Sequence, residues 1–180
     1  MKKIIAIVFL AASCSSDIHV FTDYDKDHDV RTYPNYRWAE IKNIENGRNP
    51  IYYNELNDKR IKTAVNKQLL AKGYSESPEK AELVIHYHII VSDMMAYRDN
   101  TDLHHDASWL RPEIAYYKYN EGTLIFDIMD LSNCLVWRGY ATQILDDINP
   151  QFEEMKINEA VVKIFSKFPK QKNDNEIKLQ

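Results

Sequence analysis

The sequence predicts an α+β two-layer sandwich: a mixed or antiparallel sheet of four to five strands, with two helices on one face. Three observations lead there. Residues 121–143, EGTLIFDIMDLSNCLVWRGYATQ, hold two β-rich apolar runs around Leu131–Cys134, the pattern of a β-hairpin. Residues 82–91, ELVIHYHIIV, form another run of strand formers. Two segments with helical spacing frame them, which gives the order β-β-α-β-β-β-α.

The hairpin fixes its own register. Opposing 131 with 134 places Ile128 opposite Trp137, Phe126 opposite Gly139 and Leu124 opposite Ala141 on one apolar face. The same register sets Asp127 opposite Arg138 and Thr123 opposite Thr142 on the other. A slip of one residue would carry Arg138 into the core beside Ile128, so the parity is well determined. Leu135 joins the buried set on this pattern, and Ile125, Met129, Val136 and Tyr140 the opposite one. The large Phe126 facing the small Gly139 leaves room for a helix across the sheet, with Trp137 as a core anchor.

Residues 18–24 alternate as a first strand, and Tyr33–Ala39 form a second behind Pro34. Residues 40–50, with Asn46-Gly47 and Asn49-Pro50, read as a loop. A helix follows from about Asn54, a capping residue, to Lys72. Its stripe is Leu56, Ile61, Ala64, Val65 and Leu69. Gly73 then supplies the left-handed residue after its end, and Tyr74 packs back. Ser75–Lys80 reads as a polar loop. In the strand at 82–91, Leu83, Ile85, Tyr87, Ile89 and Val91 share one face; Val84, His86, His88 and Ile90 share the other. Residues 93–119 show no clean period and read as a long loop, rich in Met and Tyr, although the second half, 115–119, could extend the next strand. Asn149-Pro150 opens the last helix, with the stripe Ile157, Ala160, Val161, Ile164, Phe165 and Phe168, before Pro169 stops it. Residues 14–170 are thus one domain, and 171–180 a polar tail.

Composition narrows the function. Four glycines and no GxGxxG or Walker-type run exclude a Gly-rich phosphate loop. The formal charge is -4, and removing residues 1–13 takes away Lys2 and Lys3 to leave -6, with no footprint for nucleic acid. Met1-Lys2-Lys3, the apolar Ile4–Ala12 and the small residues before Cys14 make a cleaved secretion signal, residues 1–13. Ala11-Ala12-Ser13-Cys14 resembles the lipobox of bacterial lipoproteins, with Ala11 where Leu is usual. That resemblance implies a diacylglyceryl thioether and an acylated amine at Cys14, hence a stable membrane anchor. Ser15 stands where an inner-membrane retention signal carries Asp, so the resemblance favours the outer membrane, with the domain in the periplasm. The one other cysteine, Cys134, then has no disulfide partner and reads as a small, half-buried free thiol.

Further motifs carry a second resemblance. They are Asp23-Tyr24-Asp25, Tyr33 with Tyr36-x-Trp38, Arg60-Ile61, and Lys72-Gly73-Tyr74. Ala81–Tyr87, Glu121-Gly122-Thr123-Leu124-x-x-Asp127, Leu135–Gly139 with Ala141, and Phe168-Pro169 complete the set. In this order the chain resembles the bacterial envelope lipoproteins grouped as domain of unknown function 4136, from Asp17 to Pro169. Position 82 departs slightly, with Glu where the family more often has Asp. The resemblance implies an envelope protein and no reaction, cofactor or catalytic residue.

Several constellations invite chemistry. His86-x-His88 puts two imidazoles about 7 Å apart on one strand face, and His104 or His105 could add a third metal ligand. Hydrogen-bonded residues of a half-buried face explain the same pair. Asp23, Asp25, Asp27 and Asp29 have calcium-loop spacing, but His28 stands where Gly belongs and Pro34 where the bidentate Glu belongs. Asp127 and Arg138 read as a cross-strand ion pair. The expectation is therefore a non-enzymatic binding or scaffolding module with no cofactor, anchored in the outer membrane. Its binding surface would include Asp127, Arg138, Tyr140, Trp109 and Tyr116, with the loop 93–119 folded over the sheet face as one rim of a groove. The alternative is a periplasmic metal-dependent or hydrolytic enzyme using His86, His88 and a loop histidine.

Overall fold

A computed structural model of the chain describes residues 18–40, 52–99, 114–145 and 150–172. In chain order these form β1 (His19–Tyr24), a 3-10 turn (Val30–Thr32), β2 (Asn35–Trp38), α1 (Glu55–Leu70), β3 (Ser75–Glu76), β4 (Leu83–Asp99), β5 (Ile114–Asp130), β6 (Leu135–Leu145) and α2 (Pro150–Ser166). The strands make one six-stranded sheet in the order β1-β6-β5-β4-β2-β3. β4, β5, β6 and β1 pair antiparallel, while β2 runs parallel to β4 and β3. The α+β class is as expected. The strand count is larger because Ser75–Glu76, read as loop, pairs beside β2.

The hairpin register matches the sequence reading from Thr123↔Thr142 to Ile128↔Trp137. Nearer the turn it changes. Met129 pairs with Leu135, so Val136 is an extra residue in a bulge. The bulge reverses the expected faces there: Val136 is buried and Leu135 exposed. Cys134, at the turn, is exposed rather than half-buried. Asn133 takes the turn's positive φ of 63°.

Both helices pack on the face of Leu83, Ile85, Tyr87, Phe126, Ile128 and Trp137. Phe165 of α2 meets Phe126 and Trp137 with ring centroids 5.1 and 5.7 Å apart. Asn54 caps α1, its side chain accepting from the Asn57 amide. Leu56 does not join the stripe of α1 and is exposed; Asn57 is buried in its place. Asn57 lies four residues before Ile61 and shares its helix face, whereas Leu56 lies five before it. Gly73, at φ 94°, ends α1, and the amides of Gly73 and Tyr74 donate to the carbonyls of Leu70 and Leu69. That is the Schellman arrangement the residues KGY announce.

The largest departure is the segment 93–119, of which only 115–119 was expected as a possible strand extension. Its described parts are strand: Asp93–Asp99 pair residue by residue with Ile114–Asn120, so β4 and β5 run on as a long ribbon. They do not fold over the sheet face. The tail is also tied down at its start, where Gln171 and Lys172 donate backbone bonds to Lys72 and Arg31.

Candidate functional site

Strand pairing lines up one row of charge across the face that carries no helix. Asp23 of β1, Arg138 of β6, Asp127 of β5 and His86 of β4 are successive Cα partners. Side chains at i and i+2 of a strand share a face, so His88 stands beside His86 in the next row, with Ile125, Tyr140 and Phe21.

Asp127 is the centre. It is 4% exposed, although it lies on the open face. Arg138 covers it with a two-pronged contact, Nε to Oδ1 at 2.6 Å and NH2 to Oδ2 at 2.7 Å. This fork raises the guanidinium's pKa, burial opposes it, and Asp23 adds a further favourable charge. His88 Nε2 approaches Asp127 Oδ2 at 3.9 Å. Burial lowers the pKa of His86; His88 and Arg37 lower it further, and Asp127 partly offsets them. Beside this row, Phe21 and Tyr140 stack with centroids 5.1 Å apart, and Phe21 is 52% exposed.

The expected surface is therefore assembled in part. Asp127, Arg138 and Tyr140 come together, with His86 and His88 beside them. Tyr116 does not join them: it lies out on the ribbon opposite Tyr97, at the parity of the helix-covered face. Its expected place in a groove rested on a folded-back loop. Cys14, Trp109, His104 and His105 lie outside the described residues. Among the described residues no three His, Cys, Asp or Glu side chains converge as a metal site. The acidic run after β1 is engaged locally. Asp25 accepts from the Asp27 amide and meets His28 Nδ1 at 2.6 Å, while Asp29 caps the 3-10 turn and binds Arg31 and Lys172.

Phe21, Asp23 and Arg37 belong to this face. Phe21 and Arg37 were not singled out from sequence, and Asp23 was read there only as part of the acidic run. Their signal was the alternation of β1 and β2, which assigns a face only once the neighbouring strand is known. A polar link on the other face was also missed: Tyr36 and Trp38 both donate to Asn66 Oδ1, and Asn66 donates to Glu76.

The fold defines an α+β sandwich with one face closed by helices and one open. The chain belongs to the family described as "Domain of unknown function (DUF4136)", whose model matches residues 20–170. None of the curated proteins compared with it matches. Among solved structures it is similar to a PDZ domain protein from Parabacteroides distasonis, at 14% identity and a TM-score of 0.48. That match covers 86% of this chain and 38% of the other. It is also similar to the PelC dodecamer from Paraburkholderia phytofirmans, at 11% identity and a TM-score of 0.48, over 86% of this chain and 99% of that one. Likenesses this distant carry no argument about activity or assembly.

Proposed function

We propose that this chain is a lipid-anchored, non-enzymatic binding or scaffolding module of the bacterial cell envelope, held at the outer membrane through Cys14. The observation that carries the binding role is the open sheet face. It sets the Phe21–Tyr140 stack, with Phe21 exposed, beside a buried Asp127 carboxylate that a half-exposed Arg138 grips with both prongs. An apolar patch next to a charged row suits recognition of a partner with matching apolar and charged groups. The Asp127 carboxylate is held in its fork by Arg138, which argues for a structural part in that surface rather than proton transfer.

Two measurements test the reading. Radiolabelled palmitate should enter the wild-type protein and not Cys14→Ser; release from membranes by salt alone, with no lipid by mass, would sink the anchor. A photo-crosslinking residue at Tyr140 should capture a specific envelope partner that Phe21→Ser no longer binds. Unchanged crosslinks in a folded Phe21→Ser protein would remove the open face from the binding role.

A further inference from the structure

The β4–β5 hairpin outruns the sheet that holds it. β6 ends at Leu145, opposite Asn120, and β1 begins at His19, in the row that crosses through Thr142 and Thr123 to Ile90. Past these rows, Met94–Asp99 and Ile114–Tyr119 pair with no further strand among the described residues. Nine residue steps lead from Ile90 to Asp99, so the ribbon extends about 30 Å beyond the row where β1 starts.

A two-stranded ribbon is marginal alone in water, and this one exposes large apolar side chains on both faces, alongside Asp93 at its base and Lys118. Met95, Tyr97 and Tyr116 have the parity of the helix-covered face; Met94 and Tyr117 have that of the open face. Tyr97 and Tyr116, directly opposed, are 72% and 69% exposed. A globular partner docking on one side would leave the other side's apolar residues in water. A medium that surrounds the ribbon covers both. Tyrosine suits the boundary layer of a bilayer, where the ring contacts acyl chains and the hydroxyl stays among headgroups.

The described chain begins at the same end of the sheet, with β1 running away from the ribbon. Cys14 lies five residues ahead of His19, and five residues at full stretch span about 17 Å. A lipid on Cys14 therefore stands no farther out than about the level of Met95. The outer ribbon reaches that level and passes it.

The geometry points to a membrane contact: the outer β4–β5 ribbon seats Met95, Tyr97, Tyr116 and Tyr117 in the interfacial layer of the bilayer that holds Cys14. This rests on the lipidation of Cys14 proposed above. Insertion is shallow, because the bare strand edges need water or headgroups for their N–H and C=O groups. With the lipid and the ribbon both seated, the sheet stands on the membrane and its open face looks along the surface, within reach of a partner.

The test uses Tyr97→Trp and, in the β5–β6 turn at the far end of the sheet, Leu131→Trp, each read as the emission added to that of the parent protein. The mature chain is prepared in two ways. One is recovered from envelopes; the other, in a Cys134→Ser background, is coupled through Cys14 to a maleimide-bearing phosphatidylethanolamine. Both are placed in phosphatidylcholine vesicles with bromine at different acyl depths. The Tyr97→Trp emission should shift to the blue and be quenched most by the shallowest bromines, at low and high salt alike. Leu131→Trp should show no shift and no quenching. An unquenched Tyr97→Trp in the coupled protein overturns the contact, as does equal quenching at both positions. A blue shift that grows with protein concentration in the absence of lipid overturns it in favour of a second copy. An unacylated Cys14 in cells, with quenching in the coupled protein, would sink the anchor alone and support the ribbon contact.

Discussion

The indole of Trp137 lies over Gly139, two residues along the same strand, in the volume that a side chain at 139 would fill. A Cβ there would overlap the Trp137 ring and come within 2.7 Å of Ile164 Cγ2. The requirement is space, since Gly73 is the described glycine with a positive φ. Gly139→Ala should therefore lower stability by about 1–3 kcal/mol, as overpacking does. Trp137→Ala, leaving a void beside Phe165 and Phe168, should cost about 3–5 kcal/mol. Urea unfolding measures both, and a Gly139→Ala protein as stable as wild type would contradict this packing.

Asp127 makes a different demand. Its carboxylate is buried and its fork comes from a half-exposed arginine. Arg138→Met strands the carboxylate and should cost about 2–4 kcal/mol, whereas Asp127→Val with Arg138→Met should cost less, because no buried charge is left unpaired. Chemical denaturation of the single and double variants decides it. A double variant no more stable than Arg138→Met would mean the fork does not compensate the carboxylate's burial.

Tyr74 closes the Schellman turn with its ring 5.2 Å from Phe168, but its buried hydroxyl has no hydrogen-bond partner among the described residues. Burial raises its pKa, with the Asp29 charge second. Removing an unsatisfied polar atom while keeping the ring should help. Tyr74→Phe is expected to match wild type or exceed it by about 1 kcal/mol. A clear loss on thermal unfolding would show that the hydroxyl is bonded in solution.

These sites differ in how far the sequence disclosed them. The Asp127–Arg138 and Phe126–Gly139 pairings were legible because a period of two, with one face buried, permits only one parity. The Val136 bulge was not, since an extra residue changes neither composition nor alternation around it. The ribbon was legible only as a possible extension of β5 at 115–119, for a related reason. With Met94 and Met95, or Tyr116 and Tyr117, exposed on opposite faces, no face is core and no period appears. The charged row needed the sheet order: His86 meets Asp127 because β4 neighbours β5, and Asp23 meets Arg138 because β1 closes on β6.

The row's histidine gives the protein a pH response with a definite sign. Burial, then the charges of His88 and Arg37, hold the pKa of His86 below the ordinary value of 6.5, against the pull of Asp127. The folded protein thus binds fewer protons at this site than the unfolded chain. Its contribution is full above pH 6.5 and declines as pH falls through that value toward the folded pKa. His28 acts with the opposite sign. Its hydrogen bond to Asp25 raises its pKa, so its contribution is full below 6.5 and is lost as pH rises through the folded pKa. Comparing wild type with His86→Gln cancels His28 and isolates His86. Between about pH 7.5 and about pH 5.5, the melting temperature of wild type should fall more than that of His86→Gln. Two parallel profiles would mean that His86 titrates alike in the folded and unfolded chains, and that the open face does not bury it.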